Sequence, residues 1–180
     1  MFNRLKNNRA YLCGPMEMCP DYGEDWRIMI KESLTDLGIL WLDPTSKPID
    51  IGFEDKLGRE SRKNLKKLGL FDEVAREMRI IRGIDLRMVD IVDFLVVNID
   101  LNIYTCGSGE EYFWANRCKK PIICRVAQGK QACPDWLLGT VPHEMIFSEW
   151  SEVCDYLRMV NSAKTVDSLN RWLFFDWMGT

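Results

Sequence analysis

"DFLVVNIDLNIYTCGSGEEYFWANRCKKPIIC", residues 93–124, carries the reading of the fold. It opens on an almost unbroken apolar run, 93–99. A polar stretch with glycines at 107 and 109 leads into a helical segment over 110–118, and a second apolar run, 121–126, closes the unit. Runs of this kind fit strands buried on both faces of a parallel sheet. At the centre stand two adjacent carboxylates, Glu110 and Glu111, directly after the glycine turn.

The same alternation extends outward. "AYLCG" (10–14) and "ILWLD" (39–43) are further strand signals, with a weaker one at "EMIF" (144–147). Within 21–38, Trp26, Ile30, Leu34 and Leu37 recur at helical spacing, and Gly38 closes the segment. Further helices are predicted over about 71–91 and 148–160, the latter with Ser148 as N-cap before Glu149. Alternating strands and helices predict an α/β fold of three layers around a parallel sheet of about five strands, as one domain spanning 1–180. Two stretches interrupt the alternation. Residues 45–69, "TSKPIDIGFEDKLGRESRKNLKKLG", read as a polar, locally basic insertion: a solvated face, a lid, or an edge that attracts phosphate. The terminus "LNRWLFFDWMGT" is rich in aromatic residues, including Trp172 and Trp177; it either packs on its own core or enters a neighbouring subunit, and a homo-oligomer contact is the favoured expectation.

Composition excludes several function classes. Hydrophobic residues make up 47% and charged residues 28% of the 180, with a net charge of −3. That balance gives no electrostatic footprint for a nucleic acid polymer or an anionic membrane. No apolar run approaches the ~18 residues of a membrane span, and the N-terminus lacks the apolar region of a signal peptide. A cytoplasmic protein is expected. The seven cysteines include no C-x-x-C pair, which argues against a disulfide framework and against a metal site; they read as small buried hydrophobes. Cys106, near the glycine turn, has no assigned role. With a single histidine, His143, and nothing near it to suggest a Ser-His-Asp or Cys-His mechanism, the expected chemistry is that of carboxylates.

Ligands of parallel α/β folds bind beyond the carboxyl ends of the strands. That rule selects Gly14, Pro15 and Met16 after the first strand and Asp43 after the second. After the third it selects the loop 100–109, including Thr105, Gly107, Ser108 and Gly109, which leads into Glu110 and Glu111. "GSGEEY" lacks the third glycine of a dinucleotide fingerprint, and no phosphate-binding P-loop motif occurs. The turn 107–109 can still present backbone N–H groups to an anion. Glu111, read as a first-turn residue, is expected to be ionised beside the helix dipole. It is then either a solvated dipole complement or a nucleophile towards a sugar carbon. The second reading needs an acid for the leaving group, and Asp85, Asp90 and Asp93 are the nearby carboxylates in sequence.

"AYLCGPM", "DLRMVDIVDFLVVNID" and "GSGEEYFWANRCKKPI", in this order over residues 9–125, together resemble the nucleoside 2-deoxyribosyltransferase family and its 2′-deoxynucleoside 5′-monophosphate N-glycosidase relatives. The resemblance implies a flavodoxin-like fold and an assembly of several copies. It implies that Glu111 is the nucleophile, with Ala115 as the alanine of an E-x-G-x-A-type helix start in which Phe113 replaces the glycine. It further implies that Asp85 protonates the nucleobase, that Tyr11 hydrogen-bonds the nucleophile, and that Asp93 is a structural residue at a strand start. Six residues before the nucleophile the transferases carry an Asp that holds the sugar 5′-hydroxyl. Here Thr105 stands in that place, as a small hydroxyl residue does in the monophosphate hydrolases.

The expected function is therefore cleavage of the N-glycosidic bond of a 2′-deoxynucleoside or its 5′-monophosphate, with a small-molecule partner and no cofactor. Another base accepts the sugar in a transferase, and water accepts it in a hydrolase. A nucleotide-binding module without turnover, using the same crevice, is the alternative from a different class.

Overall fold

The computed structural model describes residues 3–47, 52, 54–166 and 169–175. Five strands form one sheet: β1 (Arg9–Cys13), β2 (Leu40–Leu42), β3 (Phe94–Ile99), β4 (Ile122–Val126) and β5 (Ile146–Phe147). Their order is β2-β1-β3-β4-β5, and every pairing is parallel. This is the flavodoxin-like order, as expected. The central strands carry the densest burial: Ala10 to Cys13 of β1 and Phe94 to Val97 of β3 are all fully enclosed. Both faces of these strands are covered, which is why their sequences are apolar without alternation.

Helices α1 (Glu24–Ser33) and α6 (Trp150–Ser162) cover one face. The other face carries α3 (Phe71–Ile91) and α4 (Gly107–Arg117), while α2 (Lys56–Lys67) packs on α3 and α5 (Asp135–Leu138) is a short turn. Two pins fix the sheet at the site end and at its base. Fully buried Arg27 of α1 donates to the carbonyls of Leu12 at 3.2 and 3.3 Å, Gly14 at 3.1 Å and Gly23 at 2.7 Å. At the base, Asp93 accepts from the Arg9 N–H at 2.7 Å while its own N–H donates to the Arg9 carbonyl at 2.8 Å, so Asp93 locks β1 to β3.

Four features differ from the sequence expectations. The insertion, for which no helix is expected, carries one and is not wholly a solvated face: Asp55 accepts from the Gly58 N–H at 2.7 Å and caps α2, whose Arg62 is buried in an ion pair with Glu77 at 2.5 Å. Residues 48–51 and 53 of that insertion lie outside the described residues. The cap of α6 is Glu149, not Ser148; Glu152 reaches back to the N–H groups of Ser148 and Glu149, and the Ser148 hydroxyl accepts from Lys130 instead. Of the cysteines expected to be buried, Cys118 is exposed; Cys106, set apart from that expectation, is exposed as well, and all seven are free thiols. Trp172 lies in the core of its own chain, 5.5 Å from the Phe94 ring, with its indole N–H donating to the Tyr156 hydroxyl at 3.1 Å. Leu173 and Phe174 remain exposed, and Trp177 lies outside the described residues.

Candidate active site

Strand order reverses between β1 and β3, and the loops leaving their carboxyl ends diverge there. A crevice of about 550 Å³ opens at that point. Gly14 and Met16 follow β1, Pro44 follows β2, and the run from Tyr104 to Ser108 follows β3; α3 supplies the remaining wall. Gly14 has no room for a side chain, because a β-carbon there would sit 2.9 Å from the Trp26 ring and 3.2 Å from Asn98. The chain leaving β1 can therefore approach Trp26 and Asn98 this closely only with glycine at position 14.

Five carboxyl groups line this space: Glu111, Asp85 and Glu54, and also Glu17 and Glu110, which pair with Lys66 and Arg82. Glu111 is the fifth residue of α4, because the helix begins at Gly107 rather than near 110. That places it past the first turn, where the helix dipole acts most strongly. The Tyr11 hydroxyl donates to its Oε1 at 2.9 Å. Desolvation pushes the Glu111 carboxyl up to about 7, opposed by hydrogen bonds from the Cys13 thiol and the Tyr11 hydroxyl, while the charge of Glu54 adds to the rise. Burial thus outweighs the dipole, contrary to the expectation of a fully ionised group. Tyr11 is itself fully buried, and desolvation followed by the Glu111 charge raises its phenol well above the ordinary value.

Asp85 sits in the fourth turn of α3 and is buried. Its Oδ1 lies 2.7 Å from Nζ of Lys47, whose side chain is wholly enclosed. Burial pushes Asp85 up to about 8; Lys47 opposes the rise, and Glu54 and then Glu111 add to it. Neither Lys47 nor Glu54 stood out in the sequence. Both belong to the stretch read as a polar insertion, and nothing in its spacing marks two of its charges as buried or crevice-facing.

The other expected site residues divide into two groups. Thr105, Gly107 and Ser108 line the crevice with Gly14 and Met16, whereas Pro15, Gly109 and Asp43 do not. Asp43 is buried and fully engaged: it pairs with Lys31 at 2.7 Å and Arg27 at 3.6 Å, and accepts from the Thr45 N–H and hydroxyl at 2.9 and 2.7 Å. It anchors α1 to the end of β2. Glu110 is at the rim, gripped by both ends of the Arg82 guanidinium. Asp90 accepts from the Trp114 indole at 2.7 Å, outside the crevice. His143 is exposed beside Glu144. Phe113, in the place expected to hold glycine, packs against Tyr112 at 4.5 Å between ring centres and lines a neighbouring concavity rather than the crevice. Among the described residues, no cluster of three or more His, Cys, Asp or Glu has the arrangement to hold a metal ion. No helix among them is long and apolar enough to cross a membrane.

The site is thus a desolvated carboxyl held by a buried tyrosine, with a second buried carboxyl in the same crevice, at the switch point of a flavodoxin-like sheet. No family model matches the chain, and no curated protein sequence does. Among solved structures it is similar to the 2-deoxyribosyltransferase of the psychrotolerant bacterium Bacillus psychrosaccharolyticus. The two are 15% identical, with 82% of this chain and 91% of that one covered and a TM-score of 0.56. It also aligns with the CMP N-glycosidase BcmB of Clostridium botulinum at 16% identity, covering 85% and 99% of the two chains with a TM-score of 0.47. This chain has the fold of the Bacillus enzyme.

Proposed function

We propose that the protein cleaves the N-glycosidic bond of a 2′-deoxynucleoside or its 5′-monophosphate by a covalent route. The observation that supports this best is the unequal pair of carboxyl groups in one crevice, Glu111 held by Tyr11 and Asp85 with its raised proton affinity. The likeness of fold to a 2-deoxyribosyltransferase supports it independently. In the first step an ionised Glu111 oxygen attacks C1′. The bond from C1′ to the base nitrogen breaks, its electron pair stays with the base, and Asp85 delivers the proton that neutralises it. In the second step a new nucleophile attacks C1′ and releases Glu111, returning its own proton to Asp85. A second base in that role makes the protein a transferase, and water makes it a hydrolase.

The monophosphate reading draws on Thr105 and Ser108 at the N-terminal end of α4. No carboxylate opposes a phosphate at position 105, and the exposed guanidinium of Arg79 lines the same crevice. The cations there come from α3 and not from α2, none of whose residues line the crevice. The deciding experiment incubates the full chain with each common deoxynucleoside and its monophosphate, with and without a second free base. Released base without acceptor shows hydrolysis, exchanged base shows transfer, and binding with neither defines a nucleotide-binding module.

A further inference from the structure

A buried ammonium stands behind the crevice wall. Nζ of Lys47 donates to the Gly52 carbonyl at 2.8 Å and pairs with Asp85 at 2.7 Å and Glu54 at 3.4 Å. Two of its neighbours, the Gly52 carbonyl and Glu54, accept hydrogen bonds, and Asp85 faces it as an ion-pair partner. Lys47 itself does not line the crevice, whereas both of its carboxylate partners do. Enclosing a lysine head is costly unless it is paired, so the arrangement holds a cation against the side of Asp85 that faces away from the ligand space.

We propose that Lys47 is a positioning residue for the reaction set out above: clamped between Glu54 and Asp85, it fixes the Asp85 carboxyl at the crevice wall, and Lys47 and Glu54 together govern how readily that carboxyl parts with its proton. The inference rests on the reading of Asp85 as the proton donor. Its physical content is a balance of opposed charges. Lys47 favours the carboxylate form of Asp85, and Glu54 disfavours it. Among the described residues, the other charged groups lining the crevice with Asp85 are Glu17 after β1, Arg79 and Arg82 on α3, and Glu110 and Glu111 on α4, with Arg82 occupied by Glu110; Tyr11 on β1 also feels the Asp85 charge. Glu54, Asp85 and Glu111 share the crevice, Lys47 pairs directly with the first two, and burial of Asp85 and Glu111 keeps a proton in the cluster at neutral pH. Glu54, only 15% exposed at its side chain, adjusts where that proton resides. Without Lys47 the acid becomes too weak to release its proton to a departing base. Without Glu54 it ionises too early.

The test titrates the Asp85 carboxyl by carbon-13 NMR in the full chain, the signal being assigned by its loss in Asp85→Asn. It is run on wild type, Lys47→Met, Lys47→Arg and Glu54→Gln, beside the pH profile of kcat/KM for 2′-deoxyadenosine and its 5′-monophosphate. Lys47→Met should move the Asp85 midpoint up by about 1–3 pH units, and Glu54→Gln should move it down. Lys47→Arg, which keeps the charge, should stay near wild type, and the alkaline limb of the profile should follow the same directions. A loop-tying role alone predicts lost stability in Lys47→Met with an unmoved limb and an unmoved Glu54→Gln midpoint, and that result overturns the proposal. If Lys47→Met does not fold, Glu54→Gln decides by the direction of its shift. If wild type releases no base, the catalytic reading falls, while opposed NMR shifts still uphold the clamp's hold on the proton. If base is released and the midpoint ignores both substitutions, the clamp falls and the catalytic reading stands.

Discussion

The Tyr11 hydroxyl and the Glu111 carboxylate meet at 2.9 Å across 100 residues of chain. The contact is possible because β1 and β3 are neighbours, and α4, which follows β3, returns over β1. It fixes the direction of one carboxylate oxygen, Oε1, of a side chain that lines the crevice. Glu111→Gln keeps an oxygen that accepts from Tyr11 and removes the negative charge. Turnover should fall by several orders of magnitude while the fold persists. Wild-type turnover in this variant would remove the proposed mechanism.

Stability should move in the opposite direction. The folded protein holds the Glu111 proton up to about 7, against an ordinary value of 4.5. The unfolded chain ionises first, so the destabilisation begins as pH passes 4.5 and is complete above about 7. Glu111→Gln should therefore be more stable than wild type at pH 8, by at most roughly 3 kcal/mol. The gain should disappear near pH 4. Denaturant titrations at the two pH values measure the difference.

The rate should be bell-shaped in pH. Glu111 must be ionised to attack, so activity is lost as pH falls through about 7. Asp85 must be protonated to assist departure, so activity is lost as pH rises through about 8. The two groups interact, and the limbs belong to the pair. A profile flat from pH 6 to 9 contradicts the assignment.

Asp85→Asn should slow release of ordinary bases far more than release of bases that depart readily as anions, because a general acid matters most for a basic leaving nitrogen. Equal slowing of both kinds means that Asp85 does not give the proton. Asp90 and Asp93 are poor substitutes, being tied to Trp114 and to the Arg9 backbone.

For the 5′ end, kcat/KM for a deoxynucleoside monophosphate should exceed that for its free nucleoside at low ionic strength. Salt, Thr105→Asp and Arg79→Ala should each shrink the preference. A better free nucleoside would make the Thr105 argument fail and leave an ordinary transferase.

At the C-terminus, Trp172→Ala should cost about 3–5 kcal/mol, since the ring is fully enclosed between Phe94 and Tyr156. The homo-oligomer expected from the sequence then depends on the outward side chains. Leu173→Asp should yield a smaller species by sedimentation with little loss of stability, and an unchanged size shows that the tail serves its own subunit alone.

The strands and α3 were legible because burial on both sides forces unbroken apolar runs, and a 21-residue helix repeats its pattern enough to be seen. Glu111 stood out because a glycine turn followed by two carboxylates is a local arrangement. Its ionisation was misjudged, because desolvation depends on what β1 and α3 place over it and not on its neighbours in the chain. Asp43 fitted the rule for strand ends, yet α1 supplies two cations that occupy it. Lys47 and Glu54 read as solvated charges, since no periodicity distinguishes a buried charge from an exposed one. Local sequence specifies the elements and their order through apolar spacing and turn chemistry. Which charges lose their water and which carboxyl groups share a crevice is decided only when distant segments meet, because electrostatic energy depends on distance and solvent exclusion in the folded chain.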